Sequence, residues 1–224
     1  MLQIETVREV YTIPLWVDLA AVAIGAIQGA MFAGRLHDRR LDLFGVAVVG
    51  VLVGFGGGLM RGILLAQVPA ALQSNWYLVV ATAAALLGMA LQRAFQRLNA
   101  LIIALDAVTI GMFGAIGATA ALAAQLPVLP AIFVGVASAV GGSILRDVVL
   151  NLPVAVMHVG SLYAVAAGAG CTLLIGLVAL GVNVTIAGTA CVIVTALIRV
   201  AAVRFGWSLP EQRAVSSWPN WRRA

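Results

Sequence analysis

The sequence predicts an all-α polytopic membrane protein: seven transmembrane helices, six of them forming a 3+3 inverted repeat and one standing outside it. Three observations carry this reading. Of 224 residues 63% are hydrophobic and 9% charged, with a mean hydropathy of +1.10, which leaves too little polar surface for a soluble globule. The apolar residues run in long blocks between short polar breaks, the pattern of helices whose backbone is satisfied internally in lipid, not of alternating barrel strands. A set of residues also recurs in the same order about 85 positions apart.

Taken in order, the apolar blocks place spans at 12–33, 42–65, 75–92, 98–122, 130–150, 157–179 and 182–203. Pro14 suits a first helical turn, where its missing donor costs little. Trp16 and Trp76 fall near span ends, where amphipathic rings favour the headgroup layer. Pro69, Pro127, Pro130 and Pro153 fall in the breaks. Residues 1–11 carry Glu5, Arg8 and Glu9 where a signal peptide would be basic, so the first block is expected to stay as a span.

Charge sorts the same way. Seven spans put Arg35, Arg39, Arg40, Arg93, Arg97, Arg204, Arg213, Arg222 and Arg223 on one side, with Arg199 near it, and only Arg8 on the other. The bias of basic loops toward the cytoplasm then sets the C-terminus inside and the N-terminus outside a multi-pass cell-membrane protein. A formal charge of +5 and a pI near 10.2 do not point to nucleic acid, because the arginines flank spans and lack a recognition scaffold. The tail over 204–224 is basic and is expected either to lie on anionic lipid or to be disordered.

The repeat divides the chain into units at 12–92 and 98–179, followed by the seventh helix at 182–203. Asp18 opens a stretch with Gly25 and Gly29, and Asp106, 88 positions later, opens one with Gly114 and Gly117. Gly56-Gly57-Gly58-Leu59-Met60-Arg61 is answered by Gly141-Gly142-Ser143-Ile144-Leu145-Arg146, 85 positions later. Pro69 matches Pro153 and Tyr77 matches Tyr163. Three spans per unit force the second unit into the membrane upside down, an arrangement known from transporters.

The glycine runs have two readings. They either break the helix so that freed carbonyls and half-helix ends meet an ion near the midplane, or they let helices pack closely. Arginine in a membrane helix is costly, so Arg61 and Arg146 are expected to face protein, water or the interface. Common depth pairs Asp18 with Arg61 and Asp106 with Arg146, with Asp147 as a further local partner; the alternative is that all are anchors reaching for headgroups. Tyr77 and Tyr163 are placed to reach these groups. Gln28, Thr109, Thr119, Ser138, Ser143 and Thr185 either line a polar path or bond between helices.

Other chemistry is missing from the sequence. Cys171 and Cys191 lack metal-ligand spacing and read as small buried hydrophobes, and His37 and His158 have no companion ligands. There is no HExxH, Walker, CxxC or GxSxG motif and no lysine. The sequence therefore argues against an enzyme, and no cofactor is expected.

The order of elements, the doubled glycine motif ending in Arg61 and in Arg146-Asp147, and the prolines that follow resemble prokaryotic members of the trimeric intracellular cation channel family, long grouped under a putative glycine-transporter domain present here twice. The similarity spans roughly residues 12–205. It implies a homotrimer in the inner membrane with one hourglass-shaped, water-filled path per protomer. It implies kinked second and fifth helices at the waist and permeation by monovalent cations, chiefly K+ with Na+ tolerated. The family's glycines fall on Gly56, Gly57 and Gly58 and on Gly141, Gly142 and Ser143, the last adding a hydroxyl. Gly62 stands where such motifs often carry the aspartate seen here as Asp147. An alternating-access transporter of a small solute such as glycine fits the same repeat.

Overall fold

The computed structural model describes residues 13–36, 41–94, 99–157 and 162–209. Its long helices are α1 (Leu15–Ala33), α2 (Leu43–Leu64), α3 (Asn75–Ala94), α4 (Asn99–Ala123), α5 (Val128–Val149), α6 (Tyr163–Ala179) and α7 (Val184–Phe205), with no strand among the described residues. All but α6 are long and apolar enough to cross a membrane. At 17 residues α6 spans roughly 26 Å, slightly less than a hydrocarbon core. His37, His158, Arg8 and the tail beyond residue 209 lie outside the described residues.

Local chemistry sets the ends of these helices. The Asp42 carboxylate accepts the Gly45 amide at 2.7 Å and the Asn183 side chain accepts the Thr185 amide at 2.8 Å, capping α2 and α7. Helix α7 stops at Gly206, whose φ of 66° needs no Cβ-bearing residue. Helix α5 starts at Val128, ahead of the expected 130, because Pro130 sits in its first turn, where no intrahelical donor is required. Helix α6 starts at Tyr163, later than the expected 157, because Ala155–Met157 winds as a separate 3-10 turn.

That turn is itself duplicated. A 3-10 turn at Ala70–Leu72 precedes α3, 85 positions before its counterpart. The exits from α2 and α5 also correspond bond for bond. Gln67 donates to the Gly62 carbonyl and Leu152 to the Asp147 carbonyl, with Ala66 (φ 51°) and Asn151 (φ 48°) in the left-handed conformation between helix and turn. The repeat therefore includes the re-entering loops as well as the spans.

Within the first unit α1 packs on α2 and α3; within the second α4 packs on α5, and α6 packs on α5 and α4. The units join chiefly through α2 against α5, and α7 covers α4 and α6. The core is made mostly of small residues: Ala21, Ala26, Ala30, Ala81, Ala85, Ala107, Ala118, Ala131 and Ala166 are fully buried. Such faces let helix backbones approach closely where lipid gives no hydrophobic drive for association.

Candidate functional site: a glycine seam flanked by buried ion pairs

Helices α2 and α5 stay α-helical through both glycine runs, so the expected interruption is not a loss of helix. The glycines instead mark where the two inverted helices touch. A Cβ on Gly56 would fall on the Gly142 Cα; on Gly141 it would lie 2.7 Å from the Gly56 carbonyl oxygen, and on Gly142 2.5 Å from that of Val53. On Gly57 it would strike the Phe113 ring and, at 2.7 Å, the Ser138 carbonyl oxygen. Only the absence of side chains permits this approach. The Ser138 hydroxyl ties the seam by donating to the Gly57 carbonyl at 3.1 Å.

Gly58 differs from its neighbours. Nothing lies within 4 Å of where its Cβ would stand. It borders a cavity of about 10 Å³, shared with Asp18, Gly54, Tyr77 and Phe113, with room for about one water. Its counterpart Ser143 donates to the Val140 carbonyl of its own helix at 2.9 Å, so that hydroxyl is held by α5 itself.

Beside the seam in the first unit, one oxygen of Asp18 accepts both from Arg61 Nη2 at 3.0 Å and from the Tyr77 hydroxyl at 2.8 Å. These are the pair that the sequence places at one depth and the tyrosine that it places within reach of them. The second unit departs from the expectation. Arg146 does not take Asp106; its Nε and Nη2 bind Asp147 Oδ1 at 2.9 and 2.8 Å, and its plane lies 3.9 Å from the Phe32 ring centroid. The adjacent carboxylate wins because it is reached within one helix with no further ordering. Asp147 also accepts the Ala155 amide at 2.9 Å, bracing the loop. Gly62, its counterpart, stands in a tighter place: a Cβ there would lie 3.1 Å from the Gln67 carbonyl oxygen and 3.2 Å from Pro69, so the loop would have to give slightly.

Asp106 is held instead by Arg199 of α7, Nη2 to Oδ2 at 3.4 Å, and that guanidinium rests 3.7 Å above the Tyr163 ring. Sequence reasoning missed this, counting Arg199 as a flanking charge. A signal was present: Cys191, Thr195 and Arg199 recur every four residues, and all three are buried on one face of α7. Asp18, Arg61, Asp106, Arg146, Asp147 and Arg199 are at most 9% exposed, which rules out headgroup anchoring. Among the described residues no cluster could hold a metal ion.

The sequence matches the family described as glycine transporter twice, over residues 15–93 and 103–179. It is also 34% identical over 203 residues to the UPF0126 inner membrane protein YadS of Escherichia coli, covering 87% of this chain and 94% of that one. The chain belongs to the glycine-transporter family. Another relative, a UPF0126 membrane protein of Deinococcus radiodurans, is 36% identical over 157 residues, covering 69% of this chain and 72% of that protein. Solved structures extend the relationship. The TRIC trimeric intracellular cation channel orthologue from Rhodobacter sphaeroides superposes with a TM-score of 0.78 at 27% identity, covering 86% of this chain and 98% of that one. A TRIC cation channel structure addressing conductance gives the same score and identity over 88% and 95%. The chain therefore has the fold of the prokaryotic TRIC channels, and those matching structures are not enzymes. The two matched segments each contain three of its helices, and α7 lies beyond both.

Proposed function

We propose that the protein is a monovalent cation channel of the bacterial inner membrane, permeable to K+ and tolerant of Na+, that works as a homotrimer with one path per protomer. The carrying observation is the glycine seam, where helices from two inverted units meet backbone to backbone inside a fold shared with cation channels. Gly56, Gly57, Gly141 and Gly142 form the constriction; their close helix contact supports this reading. Gly58 and Ser143 flank it, and the Asp18–Arg61–Tyr77 and Asp106–Arg146–Asp147–Tyr163 groups set its gating. The functional units run over 12–92, 98–179 and 182–203, with 204–224 as a basic cytoplasmic tail and the N-terminus outside.

Arginines near a pore would by themselves repel cations. Here each buried arginine has a carboxylate: Arg61 with Asp18, Arg146 with Asp147, Arg199 with Asp106. Pairing removes the net repulsion that three buried arginines would otherwise exert on a cation, which supports cation passage. Exposed Leu78, Leu86, Ile193 and Leu197 suit contact with membrane lipid, the other partner in this reading, which includes no nucleic acid.

The family description favours a second reading, a carrier of glycine or another small solute. Purified protein in a planar bilayer under asymmetric KCl separates the two. Unitary currents reversing toward the K+ equilibrium potential are expected. Saturable, stereoselective solute exchange without unitary steps would replace the channel with the carrier.

A further inference from the structure

The two units use equivalent residues differently. In the first, Asp18 gathers Arg61 and Tyr77 on one oxygen. In the second, Asp106 is held across α4 and α7 by Arg199 at 3.4 Å, longer than the 2.7–2.9 Å usual for charge-assisted hydrogen bonds. Arg199 is 5% exposed, and its Nε and Nη1 are buried without a partner. This cation therefore makes fewer bonds than it can. Tyr163, the counterpart of Tyr77, already hydrogen-bonds Asp106, and Arg146, the counterpart of Arg61, stands within electrostatic reach of it.

We propose that Asp106 exchanges partners between Arg199 and Arg146, and that this exchange couples α7 to the glycine seam. The inference rests on the channel reading. With Arg199 on Asp106, Arg146 stays with Asp147 and Phe32, the arrangement described above. In the alternative arrangement Asp106 keeps Tyr163 and takes Arg146, reproducing the first unit's triad, and α7 is released. Arg146 lies one helical turn beyond Gly142, so drawing it toward α4 pulls that end of α5 away from Gly56 and Val53. Arg199 and Asp147 are thus positioning residues for the closed seam, and neither touches the permeating ion.

Single-channel recording of R199Q, D147N and R146Q trimers in planar bilayers tests this. R199Q removes the competitor for Asp106. D147N releases Arg146 while its amide oxygen still accepts from Ala155. Both should raise open probability by roughly tenfold, the effect of removing one charge-assisted bond from one of two states, with unitary conductance unchanged. R146Q, which cannot complete the second triad, should lower open probability by a similar factor. Opposite signs from neighbouring buried charges are not what a merely structural role gives, since that would depress all three. D147N decides the matter if R199Q fails to fold. Wild-type gating in D147N, or a fall in open probability there, overturns the exchange. Absence of unitary currents in the wild-type protein would overturn the channel reading instead.

Discussion

Gly56 and Gly142 meet backbone to backbone: a Cβ on Gly56 would contact the Gly142 Cα and stand 2.6 Å from its amide nitrogen. Backbone atoms cannot rotate aside, so even alanine at Gly56 or Gly142 must separate α2 from α5. Overpacking of this kind costs about 1–3 kcal/mol. At Gly58 a methyl enters open space and improves helix propensity. Thermal unfolding of G56A, G142A and G58A in detergent should show the first two losing stability and the third holding or gaining it. Equal losses at all three would contradict the seam. The bulkier Gly57→Val and Gly142→Val should abolish flux.

Asp18 serves two donors through one oxygen, and this ranks the cost of removing each member. D18N strands Arg61, 9% exposed, without a counter-charge, and breaking a buried pair from one side costs about 3–5 kcal/mol. Y77F removes one hydrogen bond to a charged acceptor, about 1.5–3 kcal/mol. D18N/R61M removes both charges together and should recover part of the D18N loss. Chemical denaturation of the three variants checks the order; Y77F proving the most damaging would reverse the assignment of Asp18 as the hub.

What the sequence made legible follows from how local each feature is. The seven spans and the inverted repeat depend on runs of residue type and were readable, apart from shifts at the helix ends, the largest at Tyr163. The Asp18–Arg61 pair was readable because the start of α1 and the end of α2 lie at one depth. The glycine runs were located but their mode was not, since whether a bare helix breaks or docks depends on the helix opposite. For Arg146 the sequence offers Asp106 first and Asp147 as a further partner; the structure has Asp147, because the adjacent carboxylate on the same helix outweighs the symmetry of the two units. Arg199 was passed over because a tally of charges by loop cannot tell a side chain aimed at α4 from one aimed at headgroups.

The contact between α6 and α7 turns on Gly170. A Cβ there would fall on the Thr195 hydroxyl and lie 2.9 Å from the Cys191 carbonyl oxygen. Thr195 can turn, but the Cys191 carbonyl belongs to the α7 backbone, so G170A must push that helix outward. Arg199 lies one turn beyond Thr195 on the same buried face, so the displacement draws it from Asp106. Two residues earlier on α6, a Cβ on Gly168 would meet only Val136, at an ordinary 3.8 Å. G170A should therefore cost about 1–3 kcal/mol of stability in detergent while G168A stays near wild type. T195A in the G170A background removes the hydroxyl but not the carbonyl, so it should restore only part of the loss. If G168A and G170A melt alike, α7 is not seated on this glycine.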